Sequence, residues 1–167
     1  RAGEKIFQLI YQASGRSGRS DKPGEVVIQT YVPDNPVIKN AANLDMMKYY
    51  NIALSERNEL NYPPFSWLAK IEITGQNKAL VISIAKRISK ALNRPFKGLD
   101  ILGPTPCYME KLRNQYRFQI VFKSIKTMDP NGQKLHHFIK SNFKDFKKNF
   151  HPGQNRINIH FDPLSLI

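Results

Sequence analysis

Between Ser66 and Phe161 the apolar residues keep one of two rhythms at a time, and the order in which those rhythms follow one another limits the folds open to this chain. From Ser66 to Gly75 the rhythm is two: Trp67, Ala69, Ile71 and Ile73 lie on one side, and Leu68, Lys70 and Glu72 on the other, as in a half-buried strand. Over residues 77–94 it becomes helical, with Val81, Ile84, Ala85, Ile88, Ala91 and Leu92 on one face and Lys78, Lys86, Arg87, Lys90 and Arg94 on the other. Residues 100–105 read as a short strand closed by Gly103, Pro104 and Pro106, and residues 116–123 alternate through Phe118, Ile120 and Phe122. A second helical stripe, Leu135, Phe138, Ile139, Phe143, Phe146 and Phe150, opposes Lys140, Lys144, Lys147 and Lys148, and Ile157, Ile159 and Phe161 make the last strand. The order βαββαβ predicts an α+β, ferredoxin-like domain in which two helices cover one face of a four-stranded antiparallel sheet. If each strand turns its apolar set to the helices, the open face presents Lys70, Arg117, Gln119, Lys123, Asn158 and His160. Phe118 and Phe122 share parity with the buried set, so the stacking aromatics of an RNA-recognition sheet are not expected there.

The preceding residues differ in kind. Residues 4–13 predict a short helix that runs into Ser14-Gly15-Arg16-Ser17-Gly18-Arg19, residues 26–30 a strand, and residues 35–43 and 45–60 two further helices. These pieces bury little apolar surface of their own and read as the edge of a domain whose remainder lies elsewhere. At Tyr62-Pro63-Pro64-Phe65 two prolines remove backbone donors and favour an extended link, which places the boundary between a 1–61 segment and a 62–167 domain. The charge changes there too. Residues 1–65 hold 8 basic and 7 acidic side chains, whereas residues 66–167 hold 18 and 6, so +12 of the net +13 lies in the second part. Such an excess attracts polyanions and makes nucleic acid the first partner to consider.

No stretch approaches the roughly 20 apolar residues needed to span a bilayer. The single cysteine, Cys107, excludes an internal disulfide and a cysteine-based zinc cluster, and the four His residues lack metal-ligand spacing, so no metal is expected in this chain and a reducing cytosol suits it. Opening on Arg1 with no basic-then-apolar leader, the chain reads as a piece of something longer without a signal peptide.

Two clusters suit chemistry with phosphates. Gln12-Ala13-Ser14-Gly15-Arg16-Ser17-Gly18-Arg19 sets two arginines three apart among glycines at a helix-to-loop junction, where both can reach one phosphoryl group; the same residues also suit a solvated basic turn. Lys111, Arg113 and Arg117 surround a turn with Tyr116 among them, a mixture that suits single-stranded nucleic acid. Lys140, Lys144, Lys147 and Lys148 fit either a solvating face or a contact surface, His160 a solvated strand position, and Cys107 a small packed residue.

The run through QASGRSGR and KPGEVVIQTY resembles the end of the second motor lobe of the superfamily 2 helicases of the primosomal protein N′ (PriA) family, which act in replication restart. Glu56-Arg57, Tyr62-Pro63-Pro64-Phe65, Leu102-Gly103-Pro104 with Pro106, Tyr116-Arg117-Phe118-Gln119 and Asp162-Pro163 follow in that family's order. The resemblance implies the end of a RecA-like lobe to about Leu60, followed by a C-terminal domain similar to ribosomal protein S10. It implies that Gln12, Gly15, Arg16 and Arg19 form helicase motif VI, with Arg16 and Arg19 on the ATP γ-phosphate. It further implies ATP and Mg in the full-length protein and zinc bound upstream of residue 1. No G-x-x-x-x-G-K-[ST] phosphate loop is present, so the fragment is expected to bind DNA but not to hydrolyse ATP. Forked and single-stranded DNA, single-stranded-DNA-binding protein and other primosome proteins are the implied partners, unwinding runs 3′ to 5′, and the setting is the cytoplasm at the nucleoid. Lys134 and His136, near Phe138, are candidates for holding the acidic tail of the single-stranded-DNA-binding protein. The family commonly ends Asp-Val-Asp-Pro where this chain has His160-Phe161-Asp162-Pro163. Two rival readings are a stand-alone RNA- or ribosome-binding ferredoxin-like module and a protein-interaction adaptor.

Overall fold

A computed structural model describes residues 2–17, 25–148 and 150–163. Packing divides the chain into two units, Arg1–Glu56 and Arg57–Ile167. In the first, helices α1 (Ala2–Ser14) and α2 (Pro36–Ala42) and most of α3 (Met46–Glu59) enclose a small core. Phe7 stacks on Tyr49 at 4.5 Å beside buried Ala41, and Ile10, Val37, Met46 and Ala53 pack around them. Asn35 caps α2 by accepting a hydrogen bond from the Val37 amide, with Pro36 supplying the fixed φ of a first helical turn. The strand expected at 26–30 is not formed, and Val27 is 86% exposed. Its β-branched residues favour extended backbone, but a strand exists only through a partner's hydrogen bonds, and no described segment supplies them.

In the second unit the expected order is observed: β1 (Ser66–Gly75), α4 (Lys78–Ala91), β2 (Leu99–Leu112), β3 (Gln115–Ile125), α5 (Gln133–Lys148) and β4 (Arg156–Phe161). The sheet is antiparallel in the order β2-β3-β1-β4, so the domain is ferredoxin-like and α+β as predicted. Ala69, Ile71 and Ile73 of β1 and Phe118, Ile120 and Phe122 of β3 meet Val81, Ile84, Ala85 and Ile88 of α4 and Leu135, Phe138, Ile139 and Phe143 of α5 in one core. The side chain of Asn77 starts α4 by accepting from the Leu80 amide. Asp129, fully buried, does more for α5: its carboxylate accepts from the amides of Lys134 (3.1 Å) and Leu135 (3.0 Å) and from the Ser124 hydroxyl, tying the helix start to β3. The carbonyl of Asp129 accepts from the Trp67 indole at 2.9 Å.

β2 departs from expectation. Gly103 and Pro104 were expected to end it, yet it continues to Leu112. A register shift between Leu102 and Thr105 absorbs the proline, and the ladder resumes with Thr105 opposite Gln119. Gly103 makes this possible with φ +102°, where an added Cβ would lie 2.8 Å from the Gln119 carbonyl. Because β2 is an edge strand, its prolines need no partner on their outer side. The β2–β3 hairpin closes through Arg113 and Asn114, both at positive φ (+48° and +60°), the signature of a two-residue type I′ turn. No described helix is long and apolar enough to cross a membrane.

Candidate nucleic-acid interface

The turn cluster does not form one patch. Tyr116 and Arg117 are neighbours on β3, and successive strand residues point to opposite faces. Tyr116 packs against the core on the helix side, with the Lys111 ammonium 5.0 Å from its ring. Arg113 is exposed at the apex. Arg117 turns to the other face, where its Nε donates to Glu72 Oε1 at 3.1 Å.

That other face corrects a second expectation. Lys70 shares it, but Lys70 is only 6% exposed and is not presented to solvent. Its ammonium lies 3.1 Å from Glu72 Oε2, so one carboxylate is shared by two cations at the centre of the sheet. Leu68 and Val121, both buried on the same face, keep water from the group. At one end Lys123 donates to the Leu60 carbonyl and its ammonium approaches the Tyr62 ring, so residues 60–62 fold back along this face. Burial alone would push the Glu72 carboxyl up, but hydrogen bonds and charge from Arg117 and Lys70 outweigh it and hold the group below the ordinary carboxylate range. The same pairing pushes Arg117 up. Cys107, also buried here, has its thiol pushed up by desolvation, which suits a packed residue and not a nucleophile. The sequence carried a signal for this group: Lys70 and Glu72, two apart on a strand bordered by apolar residues, share one face.

With two sheet cations held on one buried carboxylate, most of the excess charge lies in the helix layer. α4 and α5 carry nine basic side chains and one acidic, Asp145, whereas the four strands carry five and three. On α5, Lys140, Lys144 and Lys147 are exposed at i, i+4 and i+7, a stripe with steps of about 6 and 4.5 Å along the helix axis. Asp145 is taken up by Lys148 at 2.9 Å, which leaves the stripe without a competing carboxylate on its own helix. On α4, Lys78 is paired with Glu110 at 2.6 Å, while Lys86, Arg87 and Lys90 remain exposed.

Lys134 and His136 do not converge. Two residues apart on a helix, they point in different directions. The Lys134 ammonium donates to the Met128 carbonyl, and the His136 ring stacks on Phe161 at 4.0 Å. In the first unit, Gln12 is exposed in the last turn of α1, and the Gly15 and Arg16 amides close that helix on the Tyr11 and Ala13 carbonyls. The Arg16 side chain is exposed; Arg19 lies outside the described residues. Among the described residues no three His, Cys, Asp or Glu side chains are grouped to hold a metal ion.

Comparison with known proteins matches residues 58–164 to the family described as the primosomal protein N C-terminal domain. The replication restart protein PriA of Chlamydia pneumoniae is 37% identical over 138 residues, covering 82% of this chain and 18% of that protein. The protein of the same name from Bacillus subtilis is 31% identical over 169 residues, covering 100% of this chain and 20% of its own length. That of Rickettsia conorii is 33% identical over 165 residues, covering 99% of this chain and 24% of its own length. The chain thus spans about a fifth of the length of these relatives.

Proposed function

The chain belongs to the PriA family as a C-terminal part, and from that premise we propose that it is the end of an ATP-dependent DNA helicase that restarts replication at stalled or branched forks. Residues 57–167 are its DNA-holding domain, and residues 1–56 the rim of its second motor lobe. The observation that carries the DNA reading is the charge of the helix layer, nine cations against one anion on two helices of a folded domain. Such a surface holds phosphates and carries no sequence information, as suits a protein that must act at any fork. The exposed α5 stripe supports strand contact better than the sheet face, whose central cations already share Glu72. Arg113, at the hairpin apex, adds an exposed cation outside that stripe.

Motif VI is proposed on Gln12, Gly15, Arg16 and Arg19. Arg16, exposed just past the end of α1, suits a ligand approaching from a facing lobe. ATP, bound with Mg chiefly by the other lobe, supplies the energy of phosphoryl transfer. Arg16 and Arg19 would neutralise charge spread over the γ-phosphate oxygens. Zinc would be held upstream, since Cys107 is the only cysteine here and is buried. Single-stranded-DNA-binding protein and primosome components are the proposed partners, in the cytoplasm at the nucleoid.

The test is binding of this chain to single-stranded, duplex and forked DNA and to RNA across a range of salt. If about five phosphates are contacted, log affinity for a single strand falls against log salt with a slope of roughly 3.5. Forked DNA is expected to bind more tightly than plain duplex. Absence of DNA binding at low salt, or salt-insensitive binding confined to RNA, rejects the reading.

A further inference from the structure

α4 and the loop that follows α5 enclose an open groove of about 590 Å³. Its existence depends on a contact remote in sequence. Asn155 is buried, and both its backbone amide (3.1 Å) and its Nδ2 (2.7 Å) donate to the Pro152 carbonyl, which locks the loop. The locked loop lies against Gly75 at the end of β1, where a Cβ would collide with the Asn155 carboxamide and with Val81. Only glycine leaves the loop room to close one side of the groove.

The lining has a definite chemistry. The Arg87 guanidinium lies 4.4 Å from the centre of the Phe150 ring, and Phe150 is in turn packed on Phe146 at 4.7 Å. An aromatic pair therefore holds a planar cation at the wall, with part of its rotamer freedom already removed. Around it stand a hydroxyl (Ser83), five carboxamides, Gln115 and Gln154 among them, and an imidazole (His151), and none of the lining residues is acidic. A planar cation, neutral donors and acceptors, and no carboxylate select a flat, hydrogen-bonding, anionic ligand. The volume is within the usual range for a small-ligand site, about 300–1,000 Å³. Lys147 and Lys148 of α5 come three and two residues before Phe150, so the basic stripe runs up to the loop that forms the rim.

We propose that this groove takes one nucleotide of a single strand, its base lying against Arg87 and its neighbouring phosphates passing onto the α5 lysines. The proposal rests on the nucleic-acid reading above and adds to it a site that senses a base and not only a phosphate. Stacking on an arginine plane tolerates any base, so the site would hold a strand without reading its sequence.

Fluorescence anisotropy with the whole chain tests it, using a labelled oligothymidylate and an abasic strand of equal length, which keeps the phosphates and lacks the bases. Arg87→Gln is expected to weaken oligothymidylate binding by about five-fold or more, the lower end for loss of one stacked base, and to change abasic-strand binding only as much as the charge-matched Lys97→Gln, an exposed residue away from the groove. Gln154→Ala, also exposed and on the opposite wall, is expected to act in the same base-dependent way, and unchanged Trp67 fluorescence certifies the fold of each variant. Thymidine monophosphate separates a strand site from a free-nucleotide site: it should displace the oligonucleotide only far above the strand's Kd, and tighter binding than the strand overturns the assignment. If the unaltered chain binds both strands but Arg87→Gln and Lys97→Gln weaken them equally, the groove is rejected and phosphate binding stands. If the unaltered chain binds neither strand, both fall.

Discussion

Replacing Glu72 by Gln keeps the shape of the side chain and removes its charge, leaving Lys70 and Arg117 as two cations facing each other inside the sheet. Removing one member of a buried charge group costs about 3–5 kcal/mol, because the remaining charge is left without compensation. The structure argues for the lower end. Lys70 has a side chain only 8% exposed and little access to water, but Arg117 at 20% can recover part of its hydration. A loss of about 3 kcal/mol at neutral pH is therefore expected, which with a urea dependence of about 1.5 kcal/mol per molar lowers the unfolding midpoint by about 2 M. Trp67 is the only tryptophan and lies in β1 of this domain, so its fluorescence during a urea titration reports on the relevant unit. The pH dependence follows from the direction of the Glu72 shift. The folded carboxyl is held below its ordinary value of 4.5, so its contribution is present in full above that value and is lost as pH falls through the depressed one. The gap between the unaltered protein and Glu72→Gln should narrow over that acid interval. Combining Lys70→Met, Glu72→Leu and Arg117→Met should restore most of the loss, since an apolar set of similar volume avoids desolvation altogether. A difference under about 0.5 kcal/mol at neutral pH, the range of an ordinary surface substitution, would refute the reasoning, as would a gap that persists unchanged in acid.

Asp129→Ala should destabilise the same domain by about 2–3 kcal/mol, because two α5 amides and the buried Ser124 hydroxyl lose one acceptor together; a urea midpoint indistinguishable from the unaltered protein contradicts this. Cys107 should react slowly with a disulfide reagent at pH 8 in the folded protein and fully after unfolding, since burial pushes its thiol up and restricts access; rapid labelling of the native chain counts against the packed role. In the full-length protein Arg16→Ala should lower ATP hydrolysis by about 10³–10⁵ and leave the DNA affinity of this chain nearly unaltered, and near-normal DNA-stimulated turnover removes the motif VI assignment.

The helices and strands of the second unit could be read from residue order because their apolar periods are long and unbroken. Trp67, Ala69, Ile71 and Ile73 can share a face only on a strand, and Val81, Ile84, Ala85 and Ile88 only on a helix. Six such segments in that order admit few topologies, which is why βαββαβ and the antiparallel sheet were legible. The split of Tyr116 from Arg117 was legible too, through the same alternation, although their shared chemistry reads along the chain as one cluster. Other outcomes depended on partners that no local signal contains. Gly103-Pro104 reads as a stop, and becomes a bulge only because β2 is an edge strand with β3 ready to resume pairing at Gln119. Residues 26–30 have the composition of a strand and lack the neighbour that would make them one. Alternation assigned Lys70 to the sheet face away from the helices, but whether that face is wet depended on Leu68, Val121 and Glu72 closing around it, which turned an expected open-face cation into a member of a buried ion group. The groove beside Arg87 depends on Gly75 meeting Asn155, residues far apart in the chain. Side-chain period is a property of neighbours along the backbone, so sequence determines which residues share a face; desolvation, pairing and cavity shape are properties of neighbours in space, and only the folded structure supplies those.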